Sequence, residues 1–263
     1  MPKLTIVASN RDRLDLEKNI TKFFIKSLEN QTRKDFEVLI ADGGSQNYEE
    51  LKDYFASRDC EPLIRIVKEP LGDKFERAKM NNVGIRNANT PYIMTTDVDM
   101  FFGPEFVQNL IDRIGPDIFV ESRTMYWKAG VVHKIYSGVL NPFDDLEACK
   151  IGRIKKRTTA GGCQCGSIDQ WIKVGGFDED FVGWGSEDFD LLTRMKRSGA
   201  QVKWMGESRA SINLFHQHHP KPNLKEDLAC QEVNKRLLNK AMSGNRPFKA
   251  NPNGWGGIYD QSV

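Results

Sequence analysis

No apolar run in this 263-residue chain approaches the roughly 20 residues that a bilayer-crossing helix needs. The opening stretch MPKLTIVASNRDR has an apolar core too short for a secretory signal. Both absences point to a cytoplasmic location, compatible at most with peripheral membrane association. An excess of one charge is also missing. The 38 basic side chains meet 36 acidic ones, a net charge of +2, so the chain lacks the electrostatic footprint of a nucleic-acid binder. Cysteine is scarce: five, an odd number at irregular spacings, which suits reduced thiols rather than a disulfide framework. Cys163 and Cys165, in GGCQCGS, have no second cysteine pair to complete a zinc set and read as small buried residues in a Gly-rich turn. Internal repeats and linkers are absent too, so one domain is expected.

What the chain does have is a 39% hydrophobic content and a regular alternation in its first half. LTIVAS (Leu4–Ser9), FEVLIAD (Phe36–Asp42), LIRIVKE (Leu63–Glu69) and Tyr92–Thr96 read as strands. Between them, Leu14–Gln31, Tyr48–Ser57 and Phe75–Ala88 carry helical patterns. Strand and helix in turn, with near-continuous apolar strands, predict an α/β fold with a mostly parallel sheet covered on both faces. Ligands of such sheets gather beyond the carboxyl ends of the strands, where Ser9–Arg13, Asp42–Ser45 and Asp97–Asp99 fall. In the second half, Phe119–Met125, Val131–Val139, Gln201–Met205 and Ser211–Phe215 read as strands. Ser167–Val174, a segment ending at Arg197, and Leu224–Met242 read as helices, and Cys149–Thr159 as an exposed loop.

TTDVDMFFGP (Thr95–Pro104) ends an apolar lead-in with two aspartates one residue apart. Strand alternation puts Asp97 and Asp99 on one face if the extended geometry continues through Val98. Like charges that close call for a cation between them. A helix start at Pro104, running to Ile114, would account for one aspartate; a divalent-cation site with hard oxygen ligands would account for both. Three of the four histidines crowd into LFHQHHPKPN, where an imidazole can complete a site begun by carboxylates. Leu214 and Phe215 anchor His216, the preferred ligand over His218 and His219. Arg77 and Lys79 open a helix whose dipole they oppose, which suits an anion site rather than a structural role; a solvated helix face is the other reading. In GWGSEDFDLL, Glu187 and Asp188 suit a helix N-terminus, but Trp184 between two glycines is left unexplained by capping. An aromatic plate beside carboxylates is a way to hold a sugar, and such a carboxylate can act as general base on a hydroxyl.

FERAKMNNVGI, DVDM and GGFDEDFVGWGSEDFDL, in that order, resemble the inverting glycosyltransferases of the GT-A fold. The first half is similar to family 2, and the whole to the branch of beta-1,4-galactosyltransferases, N-acetylgalactosaminyltransferases and chondroitin polymerase. The likeness covers roughly Leu4 to His219; ASNRDR lacks the proline often found there. It implies a Rossmann-like GT-A domain with a nucleotide-binding half (1–100), an acceptor-binding half (101–245) and an irregular tail (246–263). It implies Mn²⁺ (or Mg²⁺) held by Asp99, Asp97 and His216, with Arg11, Arg13, Asp42, Phe75 and Arg77 lining the nucleotide. Trp184 and Glu187 would face donor and acceptor sugars, and Asp188 would be the base. The implied reaction moves a hexose or N-acetylhexosamine from a UDP-sugar to a hydroxyl of a glycan or glycoconjugate. Competing readings are a nucleotidyltransferase, disfavoured because SNRDR is no Gly-rich phosphate loop, a GDP-sugar-dependent transferase, and a non-catalytic sugar-binding module.

Overall fold

The computed structural model describes residues 3–69, 71–72, 75–154, 161–183, 185–219 and 224–256, with only the backbone of 224–228. Seven strands form the main sheet: β1 (Leu4–Asn10), β2 (Phe36–Asp42), β3 (Ile64–Lys68), β4 (Tyr92–Asp97), β6 (Ile118–Ser122), β9 (Gln164–Ser167) and β10 (Gln201–Met205). Their order is β10-β6-β9-β4-β1-β2-β3, and every pairing is parallel except the two made by β9, which runs against β4 and β6. β1 and β2 are buried at every position because helices cover both faces. On one face lie α1 (Asn19–Glu29) and α2 (Tyr48–Ala56), with Phe24, Leu28, Leu51 and Phe55 in a common apolar cluster. On the other, α3 (Arg77–Arg86), α6 (Ile168–Val174) and α7 (Glu187–Arg197) pack through Ala78, Ile85, Trp171, Leu191 and Met195. Gly84 lets α3 approach β1: a Cβ there would sit 2.2 Å from Val7 Cγ1.

A second sheet has the order β5-β11-β7-β8, formed by β5 (Met100–Phe102), β7 (Met125–Trp127), β8 (Gly152–Ile154) and β11 (Leu214–His216). The short helix α4 (Phe106–Ile111) follows β5, and α8 (Leu224–Met242) packs on α7.

The α/β class and the mostly parallel, helix-flanked sheet agree with the sequence reading, and four local expectations are corrected. Val131–Val139 is not a strand. Residues Ala129–Tyr136 form helix α5, because Val131, Val132 and Ile135 share one helical face that packs beside Trp127 and Phe215; their β-branched character misled. The helix expected from Leu14 begins only at Asn19. Asn10 Oδ1 accepts from the backbone N–H groups of Arg13 and Leu14 and holds that stretch in a loop. Cys149–Thr159 is not a free loop as far as it is described: Cys149 and Lys150 are buried, and β8 pairs with β7. Residues 155–159 lie outside the described residues. Phe119–Met125 divides between β6 and β7, which belong to different sheets. GGCQCGS supplies β9, with Cys163 and Cys165 buried as expected.

Candidate active site

The carboxyl ends of β1, β2 and β4 bring Asn10, Asp42 and Asp97 together: Asn10 aligns with Asp42, and Ser9 with Asp97. β4 stops at Asp97 and the chain turns through Val98 and Asp99 before β5 begins. The extended geometry that would have set both aspartates on one face is therefore broken, and each meets different partners. Asp97 Oδ1 accepts from Arg77 Nε at 2.8 Å. Asp99 faces two imidazoles, with Oδ2 2.9 Å from His219 Nε2 and Oδ1 3.6 Å from His216 Nε2.

Arg77 sits at the hub. Its Nη1 donates to Glu187 Oε1 at 2.8 Å and its Nη2 to the Gly161 carbonyl at 3.0 Å, so the fork is filled by three acceptors. Burial works against the guanidinium charge, but Asp97 and Glu187 outweigh it and stabilise the charged form. Glu187 Oε2 in turn accepts from the Gly185 N–H, and Asp188 Oδ2 accepts from the Gly161 N–H at 3.0 Å. Gly161 thus links Arg77 to Asp188 through its two backbone groups. Burial, and after it the neighbouring Glu187 charge, push the Asp188 carboxyl up to about 7. Before α7, Gly183 and Gly185 have φ of 71° and 112°, and Ser186, a non-glycine, also has positive φ at 75°. Trp184 lies outside the described residues.

The other expected positions divide. Arg13 Nη1 lies 3.2 Å from His219 Nδ1, which puts Arg13 beside the Asp99 cluster. Arg11 donates to the Gly72 carbonyl, and Phe75 packs beside Ala41, Met80 and Val83. Asp42 is fully buried and its four acceptor sites are filled: Oδ1 takes the N–H groups of Gly44 and Ser45, Oδ2 the Asn10 amide and the Ser45 hydroxyl. In this conformation it shapes the turn after β2 and presents no free oxygen to a ligand.

Asp99, His216 and His219 each offer one ligand atom, all within 4.8 Å of one another. Asp99 Oδ1 is buried without a hydrogen-bond partner, as a metal-facing oxygen would be. Burial raises the Asp99 carboxyl, but His216 and His219 overcome it and keep the group below its ordinary value, in the anionic form a cation needs. One carboxylate and two imidazoles fit Mn²⁺ better than Mg²⁺, which prefers oxygen donors throughout. The Tyr126, His216 and His219 rings stack in a row, with centroids 4.8 and 5.3 Å apart, which holds both imidazoles in orientation. His219 was weighed only as an alternative to His216. A two-residue spacer after a strand end lets the chain turn back, and that spacing was the available signal. His218 is exposed and outside the cluster. Tyr126 had no sequence signal. Its hydroxyl is pushed up to about 12 by burial and then by Asp97, Asp188 and Asp99, which places it in the field of all three.

A model of glycosyl transferase family 2 matches residues 6–126, and one described as N-terminal domain of galactosyltransferase matches residues 148–219. Chondroitin synthase of Escherichia coli is 25% identical over 244 residues, 79% of this chain and 34% of that protein. Chondroitin sulfate N-acetylgalactosaminyltransferase 1 of Mus musculus is 26% identical over 178 residues, 66% of this chain and 33% of that protein. The chain therefore spans about a third of the length of these relatives. Among solved structures, S. aureus TarS 1-349 superposes with a TM-score of 0.59 at 14% identity, covering 91% of this chain and 65% of that one. The same protein in complex with UDP-GlcNAc gives 0.58 at 12% identity, covering 92% and 71%. The chain is thus similar to family 2 glycosyltransferases up to Tyr126 and to galactosyltransferases from Ala148 to His219, and it shares its fold with TarS.

Proposed function

We propose that this protein is a metal-dependent, inverting glycosyltransferase that moves a hexose or N-acetylhexosamine from a UDP-sugar to a glycan hydroxyl. The observation that carries the reading is geometric: Asp188 is tied through Gly161 to the Arg77 charge network, which reaches the strand end next to the Asp99–His216–His219 cluster. The matches to chondroitin and galactosyltransferase enzymes support the sugar class, and the UDP-GlcNAc complex of TarS supports the donor class. In the proposed division of labour, residues 1–100 hold the nucleotide and 101–245 the acceptor, within one domain.

Asp99, His216 and His219 would hold Mn²⁺, which when bound supplies positive charge for the diphosphate leaving group. Asp188 removes the proton from the acceptor hydroxyl as that oxygen attacks the anomeric carbon. The bond from that carbon to the diphosphate oxygen breaks, and its electron pair leaves with the diphosphate. A single displacement inverts the configuration. Arg77 contributes by fixing Glu187 and, through Gly161, the Asp188 carboxylate; Arg13 brings positive charge to the metal side of the crevice. Incubation with Mn²⁺ and a panel of UDP- and GDP-sugars tests the reading. UDP release and a beta-linked product from an alpha-linked donor are expected. Pyrophosphate release from a nucleoside triphosphate, a GDP-sugar preference, or sugar binding indifferent to metal and nucleotide would each replace it.

A further inference from the structure

Beneath Asp188, on the main sheet, three buried polar side chains stand in a row that the proposed reaction does not use. Gln164 on β9 aligns with Thr95 on β4 and with Glu121 on β6, and all three are fully buried. Gln164 alternates with Cys163 and Cys165, so it faces the side of the sheet where α7 lies. Its Nε2 donates twice, to Glu121 Oε1 at 2.9 Å and to the Asp188 carbonyl at 3.1 Å. Glu121 Oε2 and Gln164 Oε1 are left without a hydrogen-bond partner among the described residues, as is the neighbouring Thr95 hydroxyl.

We propose that Glu121 and Gln164 form an acid–amide pair that positions Asp188, an inference that rests on Asp188 being the base. With its proton on Oε2, Glu121 donates to Gln164 Oε1 while Oε1 accepts from Nε2, and both orphaned atoms are satisfied. An ionised Glu121 fails this, because a carboxylate brings no donor to Gln164 Oε1. A flipped Gln164 fails too, because its oxygen would then meet Glu121 Oε1 and the Asp188 carbonyl. The charged groups facing Glu121 agree. Asp188 and Lys196 of α7 and Cys163, the residue before β9, are near, but no cation among the described residues pairs with it, and Arg77 is committed to Asp97 and Glu187. Burial drives its carboxyl well above the usual range; the Gln164 bond and Lys196 oppose this, and Asp188 adds to it. The neutral pair holds the first turn of α7 by its Asp188 carbonyl and adds no charge that would move with the base through turnover.

The test uses the full chain with Mn²⁺ and its UDP-sugar. Q164A and E121A are expected to lower kcat about 10–100-fold with donor KM and UDP affinity near wild type. E121Q, which can form the same pair as an amide, should stay within about threefold and keep the acidic limb of the pH profile in place. Difference infrared at about pH 9, where Asp188 is ionised, should show a protonated carboxyl band that E121Q removes. Absence of that band, an acidic limb displaced by E121Q, or wild-type kcat in E121A overturns the pair. If E121A fails to fold, the band and E121Q still decide. Normal turnover by D188N would instead defeat the base assignment and leave the band untouched.

Discussion

Arg77 Nη1 donates to Glu187 Oε1 at 2.8 Å across 110 positions of sequence, with both side chains almost wholly buried. The pair ties the start of α3 to the start of α7. Because Arg77 also holds Asp97, one guanidinium joins the strand end next to the Asp99–His216–His219 cluster to the helix that carries Asp188, the proposed base.

Arg77→Met should therefore damage folding as well as turnover. The buried Glu187 and the part-exposed Asp97 would lose their shared counter-charge, and breaking a buried pair such as Arg77–Glu187 costs about 3–5 kcal/mol. Arg77→Lys should recover part of the stability but little activity, since a single ammonium cannot reproduce the three-way fork. Thermal melts and kcat for both variants check this; a Met variant as stable as wild type would remove Arg77 from the hub.

Asp188→Asn should lower kcat by roughly 10²–10⁴ with donor KM near its starting value. In the wild type, kcat/KM should rise with pH through about 7 as the base ionises, and this limb should vanish in the variant. The linkage sign is negative for stability. A carboxyl raised to about 7 binds its proton more tightly folded than unfolded, so the fold loses stability as pH climbs from about 4 toward 7. Asp188→Asn should flatten that part of the stability curve, readable as Tm against pH.

Asp99→Ala, His216→Ala and His219→Ala should each weaken Mn²⁺-dependent UDP binding by more than about tenfold, because even outer-shell changes reach 10–100-fold at metal sites. His218→Ala should bind normally. Calorimetry of UDP with and without Mn²⁺ separates them; a normal His219→Ala would reduce the cluster to the single histidine preferred from sequence.

Asp42→Ala should cost stability before it costs specificity. Four donors, including two backbone N–H groups, would lose their acceptor in a buried turn, each with a desolvation penalty of about 1–3 kcal/mol. A fall in Tm is the expected result. Unchanged Tm with selective loss of UDP binding would return Asp42 to the nucleotide.

The parallel half of the sheet was legible because β1, β2 and β4 are buried on both faces and carry no competing pattern. β9 was not, because QCGS has no strand signature; its place is set by pairing between β4 and β6, which is a long-range fact. α5 was misread because its two adjacent valines fit a strand as well as a helix face. At the site, the carboxylates and the histidine-rich stretch were visible as residue types. Their partnering was not: the turn at Val98 that sends Asp97 to Arg77 and Asp99 to the histidines is decided by β5 joining a different sheet from β4. The Glu121–Gln164 contact had no local signal, since its members lie 43 positions apart.

That turn has a mechanical meaning. Asp97 ends a strand of the seven-stranded sheet, whereas Asp99 leads into the four-stranded one, where His216 also resides. Asp188 and Arg77 lie on helices packed against the first sheet, whereas His216, one of the proposed cation ligands, lies on the second. If the proposed reaction holds, the distance from departing phosphate to attacking hydroxyl is set by how the two sheets sit on each other, and substitutions in the packing between them would retune that reach without touching a reacting group.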